Sequence, residues 1–599
     1  MAGRLDWLRG YTDADVNSNG KKFYVQTITG SANRVALTRM SKRFAKFTDT
    51  VTKRLSYSST RTYGSFMITF GVLSLFLQLA FGFLGDIIPM DMVAVIIATV
   101  VSIFGLSMIF FDKPLAIAFQ DFALTDYIFF EFFCIRRMHR NAKEKGIHFA
   151  VGIVLGALLA VLGVFVPLSY IAIVIGVCLY LFLTFLSPEF SFFSIFLAMP
   201  YLTFSEGGIV LAVMIGVTLI SYIRKVACGK RFYFFEQYDI VLTLMLIAVL
   251  VSGIFVKGME SFVSSVIMIL LGAGGYILSS SLVTNRRLAD CIVNSVITSA
   301  VPVSFIAVYQ AVKQLITSGI NSFEPVTATF NNPHELAILL LVSLVFSLYF
   351  ISVKRRKRAK VLYVLIFLLN FVALFFTFSF WAYITLIIGF IAFGLQRMRY
   401  GSGIALAAIT LLPHMALFIP DKYLNVIMGN PTVTAIGFTE MIKRWEASIS
   451  MLMDNLFVGV GIGSESFGEE IANYLQGATF TDSGNFFLEV ACEAGIISLA
   501  ALLLIFAIRV RHRAIYRPYV MNSQVRKLSE YATMTLSVLI VFGAFNYIWA
   551  NMTAYYLFWC VFGLGSAGLR VSKQEFDDRV AYFSDGRADD SSAIDITIK

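Results

Sequence analysis

The chain reads as an all-α, polytopic transmembrane helical bundle of about 16 spans with one large extracytoplasmic helical loop, and three observations predict it. Hydrophobic residues fill 58% of the 599 positions and charged ones only 14%, against about a quarter charged in soluble chains. Apolar runs near 20 residues recur along the length, which is what a helix needs to cross a hydrocarbon core about 30 Å thick. The third observation is where the charge sits. The formal net charge is +11, but nearly all arginines lie in a few short connections. These are Arg136, Arg137 and Arg140; Arg224 and Arg231; Arg286 and Arg287; Arg355, Arg356 and Arg358; Arg397 and Arg399; Arg509, Arg511 and Arg513; and Arg570. That distribution fits the positive-inside rule. The basic balance therefore reports orientation in a lipid bilayer, and no nucleic-acid partner is expected.

The elements follow in order. Residues 1–64 are polar and basic, without the pattern of a short cleavable signal. Within them 32–55 predicts a helix with Phe44, Phe47, Val51 and Leu55 on one side and Arg43, Lys46, Lys53 and Arg54 around the rest. Such a helix lies on an anionic inner leaflet. An N-terminal transmembrane hairpin and cytoplasmic loop occupy 65–146, and a core of spans fills 147–570. Hydropathy places spans near 65–84, 91–111, 148–167, 169–187, 207–223, 238–256, 260–282, 288–309, 334–353, 361–378, 380–396, 402–419, 486–509, 530–549 and 553–570. The N-terminal segment and the chain just after Leu569 are both basic, so both termini are expected in the cytoplasm and the span number must be even. The short apolar stretch Phe190–Phe204, between Pro188 and Glu206, is the natural sixteenth crossing. With it, every arginine-rich loop falls inside. The tail over 571–599 is acidic and serine-rich and predicts disorder. Six cysteines lie in or beside spans without metal-ligand spacing and read as small apolar residues.

With this threading, several polar constellations fall outside. At Phe330–Ala337 a loop enters a span. Asn332 suits an N-cap, Pro333 the first helical position, and Glu335 completes a capping-box pattern. His334 stands beside the free N–H groups of that helix start, which suit phosphate. At Thr377–Tyr383 a tight turn joins two spans; Thr377 and Ser379 serve backbone groups there, and Trp381 and Tyr383 read as interfacial aromatics. The loop over 420–485 carries Lys443-Arg444-Trp445, the run Gly459-Val460-Gly461-Ile462-Gly463-Ser464, and Asp482-Ser483-Gly484-Asn485. Arg444 is the one arginine placed away from the cytoplasm by the charge argument, and its planar fork matches phosphate. Asn485, Glu489 and Glu493 follow at i, i+4 and i+8 on one face of the next span. An ionisable group that deep is by default a functional candidate. The glycine run does not follow a strand, which excludes a nucleotide loop.

The order of these constellations resembles that of the O-antigen ligase/polymerase superfamily of integral membrane glycosyltransferases, over roughly residues 150–510. The matching positions are Asn332-Pro333 with Ala337, Thr377 with Ser379, Arg444 with Trp445, Gly459/Gly461/Gly463, and Asn485 with Leu488, Glu493, Gly495 and Ile496. Two positions depart from the pattern. Phe380 stands where such proteins often carry arginine, and Gly484 where many carry histidine. The departures make the chain look more like a polymerase of O-antigen, capsule or exopolysaccharide repeat units than a ligase. The resemblance implies transfer of a glycan from an undecaprenyl-diphosphate carrier to a sugar hydroxyl, at the outer face of the bacterial cytoplasmic membrane. It implies Arg444, Asp482 and Glu489 as catalytic residues. Asn332, His334, Lys443, Trp445, Asn485 and Glu493 are then substrate-binding. No metal or other cofactor is expected. The expected partners are the lipid-linked glycan donor, the glycan acceptor, the bilayer, and a flippase and chain-length regulator. Ligase-type transfer of a finished glycan, a lipid-linked glycan transporter and a non-catalytic scaffold are the alternatives.

Overall fold

The computed structural model describes residues 50–51, 54–55, 57–83, 92–110, 113–133, 147–166, 168–202, 207–227, 233–234, 236–256, 258–284, 286–318, 324–354, 356–395, 438–475, 480–516, 523–547 and 551–584. The helix expected over 32–55 falls almost wholly outside these residues. So do the span expected over 402–419, residues 420–437 and 476–479 of the large loop, and 585–599. The described residues are almost entirely helical, with a single isolated bridge between Ser59 and Pro114 and no strand among them. Nine of the helices are long and apolar enough to cross a bilayer. The chain is a membrane-embedded protein.

The helices form two compact units. The first draws on 33–193 and 217–232. Its helices are α1 (Thr60–Phe83), α2 (Met92–Ile109), α3 (Phe149–Phe165), α4 (Leu168–Leu186), most of α5 (Pro188–Ala198) and the second half of α6 (Gly207–Ala227). Lipid offers no hydrophobic drive between apolar helices, so close backbone approach and interhelical hydrogen bonds must hold them. Gly152 and Gly156 of α3 supply the approach to α1. A Cβ at either would stand 2.4 Å from the Thr62 carbonyl or 2.6 Å from that of Phe66. Hydroxyls supply the rest: Ser191 bonds both Tyr180 and Thr218, and Ser221 donates to the Thr184 carbonyl at 2.6 Å. At the end of α6, Arg224 and Lys225 donate to the carbonyls of Phe185 and Leu186 at 2.5 Å each, cations meeting the negative end of α4.

The expected crossing at 190–204 takes a different form. α5 has eleven residues and passes into a 3₁₀ turn, Met199–Tyr201. At 1.5 Å per residue it is about 16 Å long, half a bilayer core. Its aromatic residues Phe192, Phe193 and Phe196 are fully buried, so it packs inside protein.

The second unit contains α7 (Gln237–Ser252), α8 (Met259–Leu282), α9 (Arg286–Ser318), α10 (Pro333–Val353), α11 (Lys357–Phe376) and α12 (Phe380–Leu395). It continues with α13 (Phe438–Asp454), α14 (Ser464–Ile471), α15 (Phe486–Tyr516), α16 (Ser523–Phe545) and α17 (Met552–Ser584). α10 and α17 are its centre, with 83% and 94% of their apolar windows buried, whereas α11 buries 17%. A helix apolar all round is a buried one or a lipid-facing one, and here both kinds occur. α16 lies against α10, α12 and α17, α8 against α17, and α7 against α15. A polar link ties three spans: Ser304 of α9 donates to Asn370 Oδ1 of α11 at 2.6 Å, and Asn370 Nδ2 donates to Ser343 of α10 at 2.8 Å.

Two elements outrun their expected ends. α9 continues to Ser318, past the predicted 309. α17 continues to Ser584, so the tail expected to be disordered from 571 begins as helix. Its first residues, Val571 and Ser572, are buried, and the stretch after them holds strong helix formers such as Lys573, Gln574 and Glu575.

The helix that begins at Phe486 is not continuous. Gly495 has φ +77° and ψ 172°, which breaks α15. Freed backbone groups inside a membrane must find partners within the protein. The glycine run supplies them. Val460 N–H donates to the Cys492 carbonyl at 2.9 Å, Gly461 N–H to that of Glu493 at 3.1 Å, and Ile496 N–H to that of Leu456 at 2.9 Å. A Cβ on Gly495 would stand 2.1 Å from the Phe457 carbonyl. Gly459, Gly461 and Gly463 all have positive φ, which explains their alternate spacing.

Candidate functional site

One end of the second unit collects the start of α10, the α11–α12 turn, α13, the start of α15, and residues 545–547 and 551 between α16 and α17. α13 is amphipathic. Met441, Arg444, Ala447, Ser448 and Met451 are buried, while Lys443, Glu446, Ser450 and Met453 are exposed. Its apolar face joins Val460, Phe467, Ile471 and Cys492 in one cluster. That packing carries Arg444 inward and leaves Lys443, the residue before it, on the opposite side.

Arg444 is 5% exposed. Its Nη1 donates to Asp482 Oδ1 at 2.9 Å, and its guanidinium lies 4.0 Å from the centre of the Phe480 ring. A charge-assisted bond and a cation–π contact together fix the fork. The same Asp482 oxygen accepts from Gly484 N–H at 2.8 Å, so the loop positions the carboxylate before the arginine meets it. Gly484 needs its φ of +68° for that turn, although a Cβ there would meet Arg444 Nη1 only at an ordinary 3.4 Å.

Asn485 is the N-cap of α15, its Oδ1 accepting from Phe487 and Leu488 N–H at 2.9 and 3.2 Å. Glu489, fully buried, accepts from Ser483 N–H through one carboxylate oxygen; the other, Oε1, has no hydrogen-bond partner among the described residues. Glu493 accepts from Gly463 N–H at 3.0 Å. It holds the glycine run in place as well as facing the other carboxylates. Asp482 and Glu489 thus meet around the DSGN turn, and Arg444 with them.

The helix start at Asn332 forms as a cap, with Oδ1 accepting from His334 N–H at 2.9 Å. The expected capping box does not: Glu335 turns instead to Asn551, at the start of α17. His334 Nδ1 pairs with Ser379 Oγ at 2.9 Å, and Ser379 N–H donates to Thr377 Oγ1 at 3.3 Å. Trp381, expected at the lipid interface, is 7% exposed and stacks on Phe545 at 4.1 Å. Phe545 also approaches Trp445 at 6.5 Å. The Asn332–His334–Ser379 group and the Arg444–Asp482–Glu489 group are therefore separate sets that adjoin the same connection.

Sequence reasoning missed that connection. Tyr547 is half-buried, and the carboxylates of Glu493, Glu489 and Asp482 act on it. Burial, reinforced by those three charges, holds its phenol well above its ordinary value, so it stays a neutral donor. The signal was present as two asparagines, Asn546 and Asn551, bracketing a short break between the last two spans. Phe480 was missed too, since a ring beneath an arginine leaves no local pattern. Cys178, Cys492 and Cys560 are free thiols.

Compared with known proteins, the chain matches no family model and no curated sequence. Fold and site define a polytopic membrane protein with a buried arginine and three carboxylates gathered at one end of its larger unit.

Proposed function

We propose that the chain is a glycosyltransferase of the bacterial cytoplasmic membrane. In this reading both termini lie inside, which requires an even number of crossings. It polymerises undecaprenyl-diphosphate-linked oligosaccharide repeat units at the outer face into a surface polysaccharide. One observation carries the reading: a buried arginine, held by Asp482 against Phe480, lies beside the turn that bonds Glu489, one of whose buried oxygens has no hydrogen-bond partner among the described residues. That is a diphosphate-binding cation next to a proton acceptor.

In the transfer, the bond between the donor sugar C1 and the phosphate oxygen breaks, and its electron pair leaves on the diphosphate. Arg444 steadies the charge that develops there, a contribution on the order of 10²–10³-fold. The acceptor hydroxyl forms the new bond to C1 and gives its proton to Glu489 Oε1. Asp482 orients Arg444, and Asn485 and Glu493 hold the chain around Glu489.

The test uses purified protein and the glycolipid extracted from cells lacking this gene. Wild-type protein should release undecaprenyl diphosphate and yield a ladder of repeat numbers, and Arg444→Ala should cut that release by about 10²–10³-fold. Full activity in a folded variant removes Arg444 from the mechanism. The break in α15 favours a second reading, a transporter of the same glycolipids, because discontinuous helices mark many transport sites. The carbonyls at this break are taken up by Val460 and Gly461, which leaves them little to offer a coupling ion. Movement of labelled glycolipid across vesicles with glycan length unchanged would select that reading.

A further inference from the structure

The height of the break in α15 can be read from its neighbours. α7 packs along α15, and His512 Nε2, near the end of α15, lies 3.2 Å from Gln237 Oε1 at the start of α7. α15 ends at Tyr516, so α7 must run back beside it, and its 16 residues cover about 24 Å. Sixteen positions back from His512 stands Ile496, which puts the end of α7 level with Gly495. The start of α8 shares that height: Gly463 N–H donates to Glu493 at 3.0 Å, and a Cβ on Gly463 would stand 2.5 Å from Ser261 Oγ in the first turn of α8. α8 has 24 residues and is apolar enough to cross a bilayer, and about 36 Å of helix takes up a whole hydrocarbon core. The break therefore marks the bilayer boundary at the end of the unit that carries Arg444.

α13 lies at this boundary. Ile496 N–H donates to the Leu456 carbonyl at 2.9 Å, and Cys492 Sγ donates to the Ser448 carbonyl at 3.2 Å. From Ser448 to Leu456 is about 12 Å of helix, but from Cys492 to Ile496 only about 6 Å, so α13 slants across α15. The turn after Asp454 keeps the helical course, with Asn455 N–H donating to the Met451 carbonyl at 3.2 Å and Gly459 N–H to that of Asn455 at 3.0 Å. One face of α13 is packed through Ala447 and Met451, and the opposite face is apolar as well. Ile449 and Met453 stand one turn apart on it, Leu456 and Phe457 continue it, and all four are exposed, Met453 at 70% and Phe457 at 67%. Asp454, the nearest charge, is taken by the Tyr474 hydroxyl at 2.5 Å. At the same height Ile497, just past the break, and Ile254, just past α7, are exposed too. Scattered apolar residues are ordinary on a surface, but a helical stripe level with the ends of two spans is what an interfacial helix presents to lipid.

We infer that the Ile449–Met453–Phe457 face of α13 is a lipid-docking surface, seated in the hydrocarbon edge of the bilayer and covered by the acyl chains of the surrounding lipid. Continuity selects lipid over a protein partner, because Ile497 and Ile254 carry the exposed sides of the spans α15 and α7 up to the same level. The loop that holds Arg444 is thereby fastened to the membrane through α13, with Arg444 on the packed side of the helix. Nothing in this inference uses the transfer reaction proposed above.

The experiment places an added tryptophan on this face and asks which quencher reaches it. Phe457→Trp, Met453→Trp and a reference, Leu368→Trp on the exposed side of α11, are reconstituted in phosphatidylcholine nanodiscs. The lipid is either plain or brominated near the top of the acyl chains, and wild-type emission is subtracted. Bromine should quench Phe457→Trp and Met453→Trp within about twofold of its effect on Leu368→Trp, and iodide added from the water should quench them weakly. Met453→Trp, at the most exposed position of the stripe, carries the test should Phe457→Trp not fold. Strong iodide quenching with no bromine effect puts the face in water and overturns the inference. Protection from both quenchers overturns it as well, since a second copy of the chain or another protein then covers the face. Both readouts are independent of glycan transfer, so an inactive protein leaves this test intact.

Discussion

α15 carries buried charge toward both of its ends, and the two ends treat it oppositely. Near its C-terminal end, Arg509 and Arg570 meet Glu236. Arg570 donates to Glu236 at 3.3 Å and to the carbonyls of Ser280 and Val283, and lies 3.8 Å from the Phe234 ring centre. Its fork is spent on backbone and on a carboxylate whose own helix start is a closed capping box. Cations there meet the carbonyl end of α8, where they belong. At the N-terminal end the balance reverses, with one arginine against Asp482, Glu489 and Glu493. That arginine is held by a loop carboxylate, and a neighbouring carboxylate oxygen remains unpartnered. The same pair of residue types thus makes a clamp in one place and, in the other, sits beside a carboxylate oxygen with no hydrogen-bond partner among the described residues.

Substitutions at the two ends should sharpen that contrast. The largest effect is expected from Glu489→Gln, which keeps shape and removes the proton acceptor. Glycan transfer should fall by about 10²–10⁴-fold with thermal unfolding in detergent nearly unchanged. A loss of folding instead would make Glu489 a structural group like Glu236. Arg570→Ala should do the reverse. Leaving the half-buried Glu236 unpaired costs about 1–3 kcal/mol of stability, read as a lower unfolding temperature, and the double variant with Glu236→Gln should recover part of it. Gly495→Ala forces a side chain onto the Phe457 carbonyl at positive φ, and should cost about 1–3 kcal/mol together with activity, because the broken helix carries Glu489 and Glu493. Lys443→Ala is the smallest. The side chain is exposed, and a surface change of this kind stays within about 0.5 kcal/mol; a hundredfold drop in transfer would show that the exposed lysine reaches the substrate after all.

Much of the helical frame was legible. The expected spans 334–353 and 65–84 match α10 and α1 within a few residues, because a long apolar run bounded by a cap or a charge leaves little choice. The Asn332 cap was legible for the same local reason. What failed was whatever depends on neighbours distant in sequence. Nothing near Glu335 says that Asn551 will take its carboxylate in place of its own helix start. Nothing near Trp381 says that Phe545 will cover it. The breaks were also hidden: Gly495 looks like any glycine in a span until the loop around Phe457 is seen to need its space, and α5 is apolar enough to cross but too short. Tyr547 was missed because it owes its setting to carboxylates from another helix and another loop.

The seam between 456–461 and 492–496 has one more consequence. Its bonds are made by main-chain atoms, so the join is indifferent to most side chains that line it. A saturation scan through 459–463 should show intolerance at every second position, Gly459, Gly461 and Gly463, while Val460 and Ile462 accept other apolar residues. Such a two-residue rhythm in a segment that forms no sheet would be the signature of a splice written in backbone geometry.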